Sequence, residues 1–335
     1  MKKTLISYFV GVVLVMSFSP HCFAQKTVSK PVKVIFDTDM GPDYDDVGEI
    51  AVLHALADRG ELDILATVAS DAHPDIAPTI EVFNRYFNKP QIPIGQANKQ
   101  LAPNFTAKTN WNDALIQKFA PEVKNKTYKP AAEVYREVLA KQPDNSVTII
   151  TVGFMTNLAE LLKSPADQYS KLSGMDLVKK KVKNWVSMAG GFPQGREFNV
   201  FKDASSSFYF FNHFPRPILF TGVELGNKIK TGAMIAAKND QSSPVSTGYQ
   251  LNLPHYLDKP EKARSSWDQT AVLLAARNPA DYFYLSGNGT FKVEEDGSNT
   301  WIPDEKGLHR FIFHKYPYEK LEEVIDELMM YQPKK

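Results

Sequence analysis

Short apolar runs alternate with stretches of helical period along most of the chain. Val32-Lys33-Val34-Ile35-Phe36 reads as a buried strand and leads into an acidic loop, Asp37 to Asp46. Val47 to Arg59 carries apolar residues on a helical period, and Gly60 stands where a helix would be capped. Leu62 to Ala69 reads as a second strand, Ile76 to Phe87 as a second helix and Ile92 to Ile94 as a short strand. Gln96 to Lys129 is loop-rich. Helices are then predicted over Ala131–Ala140, Asn157–Leu162, Ala204–Asn212, Trp267–Asn278 and Leu321–Met330. Strands are predicted over Ser146–Val152, Val182–Ala189 and Pro217–Val223, with a hairpin over Phe291–Ile302. This alternation implies an α/β fold with an open, mostly parallel, Rossmann-like sheet flanked by helices. No repeat, linker or break in composition divides it, so residues 25–335 read as a single domain.

The first 24 residues stand apart. Lys2 and Lys3 precede a largely apolar run from Leu5 to Phe18, and Cys22-Phe23-Ala24 offers a small-x-small cleavage site. Residues 1–24 therefore read as a signal peptide, and the protein as secreted or periplasmic. The apolar run is short for a membrane span, and no later stretch would cross one. Cleavage after Ala24 would remove the only cysteine of the 335 residues. The formal net charge is +1, with no basic stripe bearing interleaved aromatics, which argues against nucleic acid as a partner. The basic run Lys179 to Lys183 reads as a solvated helix end or loop.

The acidic loop changes this picture most. Asp37, Asp39, Asp43, Asp45 and Asp46 place five carboxylates within ten residues. In an open α/β sheet, ligands bind beyond the carboxyl ends of the strands. Like charges so crowded repel one another unless a cation neutralises them. Helix capping would occupy one or two of them. A hard divalent ion suits the remainder, and Ca²⁺ takes 6–8 oxygen ligands. No nearby histidine or cysteine pattern suggests zinc.

Here the chain resembles the nucleoside hydrolases, whose first strand ends in an Asp-x-Asp loop closed by an Asp-Asp pair. The resemblance implies that Asp39 ligates calcium and takes a proton from a metal-bound water. It implies Asp46 as a second ligand, Asp45 at a ribose hydroxyl and Asp37 as support behind them. The loop carries two more residues than the shortest family motif, so spacing alone also allows Asp43 in the place of Asp45. The pattern Asp46-Val47-Gly48 keeps Asp45 in register. The run Val147-Thr148-Ile149-Ile150-Thr151-Val152-Gly153 resembles a family strand whose backbone carbonyl, here that of Val152, binds calcium. Met188-Ala189-Gly190-Gly191 and Glu197-Phe198-Asn199 resemble a later segment, which places Glu197 and Asn199 at ribose hydroxyls. Ser266-Trp267-Asp268 resembles the last station, with Asp268 as a calcium ligand and Trp267 where an aromatic stacks on the base. Asp71 stands where many members carry asparagine, near the ribose or the metal. His54 reads as structural, and His73 as a weak candidate for a leaving-group acid.

The resemblance implies calcium-dependent hydrolysis of a nucleoside or other riboside, a place in purine or pyrimidine salvage, and a dimer or tetramer. Two alternatives stay open. A phosphatase of the haloacid dehalogenase type would use Asp37 as nucleophile with magnesium. A secreted ribose- or nucleoside-binding protein would keep the pocket without turnover.

Overall fold

A computed structural model describes residues 30–255 and 263–334. The signal-peptide reading falls on residues 1–24, outside the described residues. Strand β1 (Val32–Thr38) and helix α1 (Asp45–Asp58) flank the acidic loop. They are followed by β2 (Leu62–Ala69), α2 (Ile76–Tyr86), β3 (Ile94–Gln96), α3 (Trp111–Phe119) and α4 (Ala131–Ala140). Next come β4 (Val147–Thr151), α5 (Thr156–Lys163), α6 (Gly174–Lys181) and β5 (Val182–Met188). The second half adds α7 (Phe198–Lys202), α8 (Ala204–His213), β6 (Ile218–Thr221), α9 (Pro244–Asn252) and α10 (Asp268–Ala276). A hairpin of β7 (Gly289–Val293) and β8 (Asn299–Pro303), strand β9 (His309–Phe313) and helix α11 (Glu319–Met329) complete the chain.

The sheet runs β3-β2-β1-β4-β5-β6-β9 in parallel, and the β7–β8 hairpin joins its far side antiparallel. Val34, Ile35 and Phe36 are all fully buried. Their alternate orientation sends Val34 and Phe36 into one core layer and Ile35 into the other. Helices α1, α2, α10 and α11 cover the first face. Helices α4, α5, α6 and α8 cover the second. The strand order reverses between β1 and β4, and there the crevice for a ligand opens. Asp37 pairs with Thr151 in that register, and the Val152 N–H donates to the Asp37 carbonyl at 3.0 Å. The end of β4 is thereby fixed beside the start of the acidic loop.

Several elements differ from the sequence reading. The stretch read as loop-rich contains α3, whose Trp111 is fully buried and donates its indole N–H to the Asp43 carbonyl at 3.0 Å. The short strand expected at Ile92 begins at Ile94, after Pro93. Strand β9, helix α6 and helix α9 are additional to the expected elements. Lys179, Lys180 and Lys181 form the last turn of α6, where cations complement the helix dipole. Among the described residues no helix is long and apolar enough to cross a membrane.

His54 on α1 is fully buried, stacked on Phe87 with ring centroids 4.6 Å apart, and its Nε2 meets Asn84 Oδ1 at 3.0 Å. Burial lowers its pKa from 6.5 to about 3. The folded state thus holds His54 neutral where the unfolded chain would protonate it. Its contribution is present above pH 6.5 and is lost as pH falls from there towards 3. Denaturant titrations should show His54→Gln losing less stability than the parent as pH falls from 6.5 to about 4.5, whatever its stability at pH 7. Parallel pH curves for the two proteins would contradict this.

Candidate active site

The acidic loop closes a cleft lined by Asp39, Gly41, Pro42, Asp43, Asp45 and Asp46 from the β1–α1 connection. Val152 and Met188 enter from the ends of β4 and β5, and Glu197, Phe198, Asn199, Val223, Trp267 and Asp268 complete the wall. Its empty volume, including the space open to solvent at its mouth, is about 570 Å³.

The loop is held from outside the cleft. Ser70 N donates to the Thr38 carbonyl at 2.8 Å, Thr38 Oγ1 accepts from Met40 N at 2.9 Å, and Asn112 Nδ2 donates to the Met40 carbonyl at 3.0 Å. Asp37 is not among the lining residues. Its Oδ2 accepts from Tyr135 OH at 2.8 Å and from Asn157 Nδ2 at 3.2 Å. A nucleophilic Asp37, as the phosphatase alternative requires, would need to face the cleft. It is instead fully buried behind the loop.

Asp45 and Asp46 open α1, and that helix has no side-chain cap. Asp45 Oδ2 instead accepts the backbone N–H groups of Trp267 at 3.2 Å and Asp268 at 3.4 Å, across the cleft at the start of α10. The Asp45 carbonyl takes the Gln269 Nε2 donor at 3.1 Å. These bonds lock the first turn of α1 to the first turn of α10. Asp268 is the first residue of α10, whose N-terminus makes no side-chain capping bond. Asp43 is 35% exposed in its side chain and pairs with Arg264 at 2.6 Å. The two candidates of the spacing alternative both line the cleft, Asp43 at the rim beside the Arg264 guanidinium and Asp45 buried.

The carboxyls repel one another. Asp39 is held well above the usual carboxylate range by burial and by Asp46, Asp71 and Asp43. Asp46 is pushed up to about 7 by burial and by Asp43, with the Thr38 hydroxyl opposing at 3.1 Å. Asp268 is raised by burial and by Asp45, Glu49, Asp46 and Asp39. Glu49, on α1, is not singled out by the sequence. It is wholly buried, and burial and Asp46 raise it. These shifts describe a set of oxygen donors without a positive partner, which is the environment a hard cation fits. Ligand oxygens of Asp46, Glu49 and Asp268 lie within 4.8 Å of one another, as do those of Asp43, Asp45 and Asp46. Asp39 belongs to neither triplet but stands in hydrogen-bonding contact with Asp46.

The sugar-side candidates are arranged by backbone. Glu197 caps the short α7 and accepts N–H groups from Asn199 at 2.8 Å, Gly190 at 3.2 Å and Val200 at 3.4 Å. Asn199 Nδ2 donates to the Val152 carbonyl at 2.9 Å. That occupies one of the two lone pairs of the oxygen expected to face a metal. Trp267 is half-buried, with its indole N–H on the Val223 carbonyl at 3.1 Å and the Arg264 guanidinium 4.8 Å from its ring centre. Asp71 lies just behind the cleft and is not among its lining residues. Its two oxygens accept the N–H groups of His73 at 2.6 Å and Phe105 at 3.0 Å. No histidine is among the described lining residues, and the His73 ring accepts from Asp75 N at 3.3 Å.

Sequence reasoning misses two residues here. Glu49 is hidden because α1 is buried on nearly all sides, twelve of its fourteen residues, so no polar face marks it. Its signal is the Asp46-x-x-Glu49 spacing, which sets both on one side of a helix. Arg264 gives no signal, because its partner Asp43 lies 221 residues away.

The family model described as inosine-uridine preferring nucleoside hydrolase matches residues 34–303. The pyrimidine-specific ribonucleoside hydrolase RihA of Shewanella oneidensis is 28% identical over 171 residues, 45% of this chain and 52% of that protein. The chain thus spans about half the length of that curated relative. Among solved structures, the purine-preferring ribonucleoside hydrolase from Gardnerella vaginalis superposes with TM-score 0.70 at 13% identity, over 89% of this chain and 98% of that one. The inosine-uridine preferring nucleoside hydrolase from Bacillus anthracis superposes with TM-score 0.66 at 16% identity, over 89% and 99%. At these identities the superpositions speak to fold.

Proposed function

Because the chain belongs to the inosine-uridine preferring nucleoside hydrolase family, a family of N-ribosyl hydrolases, we propose that its cleft hydrolyses a riboside to ribose and a free base, with calcium resident. The observation that carries this reading is the set of buried carboxylates Asp39, Asp46 and Asp268 converging on one cleft at the reversal of strand order.

Asp39, Asp46, Asp268 and the Val152 carbonyl would hold the cation. When bound it supplies positive charge that neutralises these acids and orients the ribose diol and the attacking water. Asp39 accepts a proton from that water as its oxygen bonds to the anomeric carbon. The bond from that carbon to the base nitrogen breaks, and the base leaves with the electron pair and gains a proton. Positive charge on the sugar in the transition state is favoured by the surrounding carboxylates. Asp45, Glu197 and Asn199 receive the ribose hydroxyls, and Asp71 sustains the wall behind them. Sites built around placed hydroxyl acceptors reject analogues that lack the hydroxyl. Trp267 offers a flat surface to the leaving base, and such stacking is worth about 1–3 kcal/mol. We read residues 1–24 as an export signal, which would put this chemistry outside the cytoplasm, and leave a dimer or tetramer as the expected assembly.

The test is a panel of purine and pyrimidine nucleosides assayed for release of reducing sugar, with calcium and with chelator. Calcium-dependent release from at least one nucleoside is the expected result. Ribose binding without release from any of them would favour the binding-protein alternative.

One position probes the geometry without touching the acids. A Cβ at Gly153 would meet Asp39 N at 2.5 Å, and the Ser70 hydroxyl still closer. Gly153→Ala must therefore push the loop away from β4. Misplacing a reacting group by about 1 Å can cost about 10²-fold. We expect kcat to drop about that far, with stability reduced by about 1–3 kcal/mol. Wild-type kcat in this variant would show that Asp39 need not sit against Gly153.

A further inference from the structure

Glu49 follows Asp46 by one turn of α1 and is wholly buried. Neither Oε1 nor Oε2 has a hydrogen-bond partner. The neighbouring Thr38 hydroxyl gives its proton to Asp46 Oδ1 at 3.1 Å. A buried carboxylate without donors is costly, and cores keep one only when something positive or a proton compensates it. The three-residue spacing places Asp46 and Glu49 on one side of α1. That side meets the first residue of α10, so that ligand oxygens of Asp46, Glu49 and Asp268 fall within 4.8 Å of one another. A hard cation takes carboxylates from such a set, and its affinity rises with their number.

We propose that Glu49 is a fourth carboxylate ligand of the cation held by Asp39, Asp46 and Asp268. The inference rests on the calcium reading above and extends it. Arriving from beneath the cleft, Glu49 leaves the sugar side of the ion to the substrate. It also makes the centre strongly anionic, so a trivalent lanthanide should be held more tightly than calcium.

The experiment is calorimetric titration of the metal-stripped full chain with Ca²⁺ and Tb³⁺, parent against Glu49→Gln, with melting followed in chelator and in calcium. Glu49→Gln should bind Ca²⁺ about tenfold more weakly or worse. It should melt no lower than the parent in chelator and gain less on adding calcium. A merely structural glutamate would not produce that crossing. Calcium affinity within about twofold of the parent would overturn the assignment of Glu49 alone. A parent that binds neither ion would overturn both this inference and the calcium reading. Should Glu49→Gln fold poorly, Glu49→Leu fills the same space without charge and carries the same expectations.

Discussion

Asp39→Ala should lower kcat by about 10³-fold or more. General-base catalysis alone supplies about 10²–10⁴-fold, and the same substitution removes an expected ligand of the cation. Asp39 is 5% exposed, lines the cleft beside Asp46, and is raised by burial and by its acidic neighbours. Its backbone also lies against Gly153 at the end of β4. Asp39→Asn separates the two roles, because the amide can still offer an oxygen to a metal but cannot take a proton. It should therefore keep more of the calcium affinity than alanine does while remaining as slow. Steady-state kinetics with calorimetric titration would check both. Near-wild-type turnover in either variant would remove Asp39 from the mechanism.

Removing the metal should be as damaging as removing the base. In chelator, turnover should vanish, and readdition of calcium should restore it. The protein should also melt lower. A ligand at about 100 times its Kd stabilises by about 2.7 kcal/mol, or roughly 4 °C for a chain of this size. The loss has a physical source in Asp39, Asp46, Glu49 and Asp268, which face one another in a buried space. Salt screens buried pairs poorly, so sodium chloride should not substitute. Magnesium should restore less, since it demands a tighter octahedral shell than calcium. Full activity and an unchanged melting point in chelator would count against a resident cation.

The parts of the fold legible in sequence are those where one signal dominates. Strand β2 is legible with its observed bounds, because Leu62 to Ala69 is β-rich and bounded by Gly60 and Ser70. Strand β1 and the acidic loop stand out because apolar residues are followed at once by five acids. Helix α3 is obscured because its neighbours are rich in Asn and Pro, and Trp111 is buried through tertiary contact with the Asp43 carbonyl. Strand β9 has only five residues, His309 to Phe313, and is a strand because β6 and the hairpin lie beside it.

The candidate site divides in the same way. Asp39, Asp45, Asp46, Val152, Glu197, Asn199, Trp267 and Asp268 are the residues the sequence singles out, and the fold brings them to one cleft. Asp71 is expected near the ribose or the metal from its position after β2; its charge reaches Asp39, while its carboxylate accepts from the backbone of His73 and Phe105. Part of that arrangement is a tight local turn onto His73, and the rest is a contact with a segment over thirty residues on. Sequence spacing carries no sign of either. Glu49 and Arg264 depend on contacts between elements far apart in the chain, which no local pattern encodes.

The most direct measurement is a crystal structure of the protein grown with calcium, with the ion located by its anomalous signal. The account predicts one strong peak among Asp39, Asp46, Asp268 and the Val152 carbonyl, with oxygens at about 2.3–2.6 Å. Carboxylates turned out into solvent, with calcium elsewhere or absent at saturating concentration, would contradict it.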